Sequence, residues 1–333
     1  LYAGNNVSVM KLDANSRISL SNNDSGGTNT LFGYLAGNVL ANSGETGNTC
    51  IGHQAGMDMV AGGGTPAQNT YVGHTAGQNM DDGVGNVAVG SFAMLAGTGD
   101  GSAGQYNVAL GYAALTAVTD GSSNTIAGAY AGDAITIGER NVAMGTSALS
   151  AENTGSKNTA IGYVALSSLD YNGSGQNTAV GHSAGSNLTE GINNTIVGGD
   201  AFDAANATET GNVAVGKDAM GSVDEGENAG SDTVSADNNI AIGLQALNGG
   251  DMGDASSSSG ANRNFDGNIA IGAYALDATG ATAHTGAIAI GYQAGTAVNS
   301  ADAVGLTLVG YQAGLALTEG AKNTIVGYQA GVS

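Results

Sequence analysis

Bulky side chains are scarce in this chain of 333 residues, which has no tryptophan, four phenylalanines and twelve tyrosines. Much of its 41% hydrophobic content is alanine. A wide globular interior needs large aliphatic and aromatic groups, so whatever core forms here must be thin. Cysteine is nearly absent too: Cys50 stands alone and can close no intrachain disulfide, which leaves the redox compartment open. Basic residues are few. Seven Lys and Arg against 28 Asp and Glu give a formal charge of −21, which argues against nucleic acid or an anionic membrane surface as partner. Such a surface still tolerates close self-association in salt, where the screening length falls to ~3 Å near 1 M. No apolar run approaches the ~20 residues of a membrane-spanning helix, and no signal-peptide pattern is present, so no membrane insertion is expected. Because the chain opens at Leu1 and stops at Ser333 directly after a full motif, it is expected to be a piece of a longer polypeptide.

Glycine is what the chain has in excess, 58 residues in all, a density that destabilises helices throughout. No helical period of apolar residues accompanies it. Instead one motif recurs, as in "NTAIGYVAL" from Asn158 and "NTAVGHSAG" from Asn177. Aligned on its glycine it occurs sixteen times, from Gly33 to Gly327, with seventeen residues as the base period. Alanine stands three residues after the glycine in every copy, and asparagine four before it in fourteen, with Ala287 and Leu306 as the exceptions. In the two copies quoted, these positions are Asn158, Ile161, Gly162 and Ala165, then Asn177, Val180, Gly181 and Ala184. Repetition at this period signals a solenoid of stacked coils.

Each coil reads as a short strand ending at the glycine. Side chains alternate across a strand, so Thr159 and Ile161 share one face while Ala160 takes the other. The β-branched face is expected to be buried, and the small, alanine-rich face to lie outside, where an identical copy could cover it. The segment after the glycine, "YxAL" or "YxAG", is expected to form a second short strand before a polar loop returns to the next asparagine. The fold class is therefore all-β, a parallel β-solenoid of about sixteen coils over residues 29–333, and at ~4.8 Å per coil it would extend roughly 75 Å. Residues 1–28 alternate differently. "NVSVMKLD" and "SRISLSNND" read as two strands joined at Ala14–Asn15, a hairpin, cap or connector protecting the edge of the first coil.

The segments "NVAVG" at Asn86, "NIAIG" at Asn239 and Asn268, and "AIAIGYQAG" at Ala287 resemble the head repeats of trimeric autotransporter adhesins, and the "NTAIGYxAL" form resembles repeats of bacteriophage tail fibres. "KLDANSRISLSNNDSG" at Lys11 is similar to segments that introduce such repeats in marine phage fibres. The resemblance covers about nine-tenths of the chain. It implies a left-handed, homotrimeric β-roll with a structural and adhesive function: a phage tail fibre or similar extracellular appendage attaching to a host-surface glycan or protein and joined to other fibre or virion proteins. A bacterial trimeric adhesin's passenger head is an alternative carrier. A carbohydrate-acting enzyme or an acyltransferase on a β-helix is the alternative of another class, but the aliphatic residue at every sixth position that such acyltransferases need is missing.

Candidate sites are sparse. No catalytic motif, nucleotide fingerprint, cofactor-binding pattern or metal spacing is found. His53, His74 and His182 share the slot after the glycine with Tyr34, Tyr112, Tyr163, Tyr292, Tyr311 and Tyr328, which reads as an aromatic ladder before it reads as an ion site. Asp81–Asp82 reads as a solvated turn, and the acidic stretches at 224–228 and 250–254 as surface charge. The recurrent asparagines are expected to hydrogen-bond from coil to coil. Threonine three before the glycine suggests an ice-binding row, but valine or isoleucine replaces it in Val87, Val108, Ile240 and others, a mixture that suits a buried position. Two insertions, 221–237 and 248–267, break the period. Arg263 and Phe265 in the second are the binding candidates, because basic and aromatic residues are rare here and often anchor recognition.

Overall fold

The computed structural model describes residues 28–38, 40, 46–59, 66–96, 104–205, 208–223, 235–249, 265–277, 284–298, 304–318 and 320–332, together with four two-residue strands nearer the N-terminus. Among the described residues there is no helix. Sixteen three-residue strands, one for each copy of the motif, run parallel and make a β-solenoid. The chain divides into two compact units, residues 1–129 and 130–333. In the first, strands from Thr30–Phe32 to Thr125–Ala127 pair in chain order. In the second, those from Val142–Met144 to Thr324–Val326 do the same. Register follows the motif: Val142 faces Thr159, which faces Thr178. The insertions leave it unchanged, since Val213 still faces Ile240 and Ile240 faces Ile269. Near the N-terminus, β1 (Tyr2–Ala3) pairs antiparallel with β2 (Val7–Ser8), and β3 (Lys11–Leu12) with β4 (Ile18–Ser19). The second pair straddles Ala14–Asn15, whereas Val7–Ser8 turns back on the preceding residues.

The motif glycine is required by close approach. At Gly111 a Cβ would lie 2.6 Å from the carbonyl oxygen of Gly128, and at Gly243 it would lie 2.7 Å from that of Gly272. The backbone there also has φ of 137° and 138°, a region that side chains disfavour. After the glycine the expected second strand does not form. Val164 and Leu166 have φ of 49° and 47°, so the segment coils through alternate left-handed residues instead of extending. Its N–H groups still serve both neighbours: Val164 donates back to Thr146 O at 3.0 Å and Leu166 donates forward to Ala184 O at 3.1 Å. Those bonds satisfy the backbone of a buried turn as a strand would.

The faces are reversed relative to the sequence expectation. The middle residue of each strand points inward: Ala88, Ala109, Ala143, Ala160 and their equivalents are fully buried, while the flanking β-branched residues are exposed or half-exposed. At this level most coils bury one bulky side chain, and the coil with both Ile196 and Phe202 buried is the exception. Where the strand centre is alanine, the residue four after the glycine is usually Leu or Met, as in Ala160 with Leu166 and Ala214 with Met220, all buried. Where the centre is large, that residue is usually glycine: a Cβ at Gly77 would lie 2.5 Å from the Tyr71 ring, and one at Gly314 would lie 3.0 Å from Leu308. Coils that break the rule compensate across the stack. Ala179 and Gly185 are both small, and the space goes to Ile196 and Leu166 of the adjoining coils, 2.7 and 3.1 Å from a Cβ at Gly185. Constant interior volume is what close packing demands.

Asparagine ties successive coils together as expected. The Oδ1 of Asn48 accepts from the N–H of Asn69 at 3.0 Å, and that of Asn141 accepts from the N–H of Asn158 at 2.9 Å. The Nδ2 groups mostly donate to a loop carbonyl, as Asn69 does to Gly83 at 2.7 Å and Asn177 to Gly191 at 2.8 Å. In the second unit this series runs from Asn141 to Asn268, whose Oδ1 accepts from the N–H of Ala287 at 3.0 Å. These asparagines are buried, so each amide stands in for water that cannot enter.

Candidate functional site

The inward turn of the alanines leaves apolar residues on the outer face. Just before the glycine, Phe32, Ile51, Val89 and Leu110 of the first unit are exposed, as are Met144, Val197, Ile242, Ile290 and Val326 of the second. Leu110 is 42% and Met144 44% exposed. Three before the glycine, the Thr, Val and Ile positions lie half-exposed or exposed beside them, so burial does not account for the mixture at that slot. A strand face of this composition is suited to packing against another surface.

A second row follows the glycine. In the first unit, rings stack from Tyr34 to His53 at 5.3 Å and from His53 to His74 at 5.0 Å, then meet Phe92 and Tyr112 edge-on at 5.3 and 5.6 Å. In the second, Tyr163 stacks on His182 at 5.3 Å, and Tyr292, Tyr311 and Tyr328 stack at 5.4 and 5.1 Å. These distances are those of favourable ring pairs, so the histidines act as rungs of the expected ladder. Alongside the last three tyrosines, Gln329 donates to Gln312 and Gln312 to Gln293, each at 2.8 Å. His182 also approaches Asp200 at 3.3 Å, and Lys217 lies 2.7 Å from Asp218 and 3.8 Å from Asp200. Exposed pairs of this kind contribute little to stability. Among the described residues no cluster of three or more His, Cys, Asp or Glu is placed to hold a metal ion.

The sequence candidates separate. Phe265 is fully buried; its N–H donates to Ser235 O at 2.7 Å, its carbonyl accepts from Asn239 Nδ2 at 2.7 Å, and its ring meets His284 edge-on at 6.0 Å. A ring held this way serves the core and offers no surface to a partner. Arg263 lies outside the described residues, as do both acidic stretches, 224–228 and 250–254. Asp81, expected in a solvated turn, is buried, and Asp82 beside it is half-buried.

Several interior groups escaped notice in the sequence. Burial pushes the Cys50 thiol up to about 12 and the His284 imidazole down to about 4, so the thiol stays protonated and the imidazole neutral near pH 7. Glu152 is buried as well, and burial pushes its carboxyl up to about 7. The signal for it was available: seven residues after the motif glycine, other coils place Met59, Met80, Val118, Ile135, Leu169 or Leu188. No protein-family model, curated protein or solved structure matches the chain.

Proposed function

We propose that the chain is a structural and adhesive fibre segment, a homotrimer belonging to a phage tail fibre or similar extracellular appendage that attaches to a host surface. The observation that carries this reading is the exposed apolar row on the outer strand face, repeated at a fixed register within each unit. A surface of one residue type per coil matches best a second surface with the same coil spacing, and another copy of the chain supplies one. Closed cyclic assembly would bury the row on every copy alike. The charge of −21 keeps such a fibre soluble and lets its remaining surface repel unrelated acidic partners. Attachment to a glycan or protein is assigned to the inserted loops, because loops on a rigid repeat scaffold are free to vary without disturbing the register.

Sedimentation velocity of the purified chain should give a species of three copies, and a single-copy species at micromolar concentration would remove the trimer. Val180→Asp together with Ile242→Asp, on the outer row, should convert the trimer to monomers with little change in the monomer's own fold. Arg263→Ala should reduce host-cell adsorption; unchanged adsorption would take Arg263 out of the attachment surface.

A further inference from the structure

Seven residues beyond the motif glycine, the solenoid keeps an apolar column. Met80, Val118, Ile135, Leu169, Leu188 and Val223 are all buried there. In the coil that begins at Gly145 the same slot holds Glu152, also fully buried. Register is set in the turn just before, where the N–H of Gly132 donates to Ala148 O at 2.9 Å and that of Leu149 to Ala165 O at 3.0 Å. Ile135, Glu152 and Leu169 therefore occupy corresponding positions in successive coils. The Oε1 of Glu152 accepts from the N–H of Gly155 at 2.6 Å, and the N–H groups of Tyr171 and Asn153 also reach the carboxyl. Its Oε2 is buried with no hydrogen-bond partner. Gly155 leaves the room, since a Cβ there would overlap the carboxyl group.

We propose that Glu152 is a pH-sensitive catch inside the solenoid: the neutral carboxyl holds its coil packed against the next, and ionisation loosens the stretch from Leu149 to Tyr171. An ion in this slot leaves one oxygen without a donor in an apolar column, which is the costly arrangement for a buried charge. Its charged neighbour among the described residues is Asp170 of the following coil, which opposes ionisation; Ile135 and Leu169 bring no charge. Burial is the larger influence and outweighs the three N–H groups that favour the ion, placing the titration at about 7. The folded chain thus holds this proton more tightly than the unfolded chain. The stabilisation is complete below the ordinary glutamate value of 4.5 and is lost as pH rises through about 7. Between those limits one proton changes the local opening equilibrium by at most about tenfold per pH unit.

Hydrogen exchange by mass spectrometry, from pH 5 to pH 8 on the full chain, tests this with peptides spanning residues 149–173. After division by the intrinsic exchange rate, wild-type protection should fall more than about tenfold across the range. Glu152→Gln and Glu152→Leu should show no such step, and the leucine variant should be the better protected at pH 8. Peptides from the coil around Gly243 serve as the internal reference. Parallel pH profiles for wild type and the leucine variant would overturn the proposal. If the glutamine variant does not fold, the leucine variant carries the test alone, because the neighbouring coil already holds leucine in this slot. The catch does not depend on the fibre assignment.

Discussion

The coil around Gly162 and the coil around Gly310 fill similar cross-sections in opposite ways. The first puts Ala160 at the strand centre and Leu166 in the turn; the second puts Leu308 at the centre and Gly314 in the turn, and both centres are buried. What stays constant is the volume shared by the two positions, so neither residue can be understood from its own column of the repeat. The two turn endings, "AL" and "AG", are two solutions to one packing problem. The glycine of the motif has a different cause, since it answers to the backbone of the next coil rather than to a side chain.

The largest expected effect separates these two roles of glycine. Gly162→Ala places a methyl against the Gly181 backbone at a φ of 143°, and should cost about 3 kcal/mol or more, read as a lower denaturant midpoint at unchanged slope. Gly199→Ala, where a Cβ meets nothing within 4 Å, should be close to neutral in the same experiment. Next in size is the volume exchange. Leu166→Gly should cost about 2–4 kcal/mol by leaving a cavity, and Ala160→Leu about 1–3 kcal/mol by overpacking. Combined, the two should cost less than their sum by about 1–3 kcal/mol, and strict additivity in a double-mutant cycle would break the comparison. Asn158→Ala should cost about 1–3 kcal/mol, because the N–H of Asn177 loses its acceptor in a buried place. Smallest is Val180→Thr on the outer row, expected within about 0.5 kcal/mol for the isolated chain by thermal unfolding. An effect as large as that of the inner positions would mean that the outer row is covered.

Much of the architecture could be read before any coordinates. Asparagine in a fixed place announced the ladder, because one side chain with both a donor and an acceptor can bridge identical neighbours. Absence of helical period announced an all-β fold. The second strand was misread because "YVAL" has strand-forming residues, whereas the inter-coil hydrogen bonds of Val164 and Leu166 hold both in left-handed conformations. Phe265 was misread for a different reason. Its place in a long insertion suggested a loop, yet the chain has already returned to the solenoid two residues before the loop-closing Gly267, and the aromatic ring completes the core.

By itself the sequence determined the period, the register and the thinness of the core, because those follow from where glycine, asparagine and alanine recur. Only the tertiary structure decided which face of each strand turns inward. Alternation creates two faces without ranking them, and the ranking comes from the volume that each coil must share with the turn opposite. The same closure carried Glu152 into an apolar column and left the β-branched row outside, an outcome that no single repeat could specify.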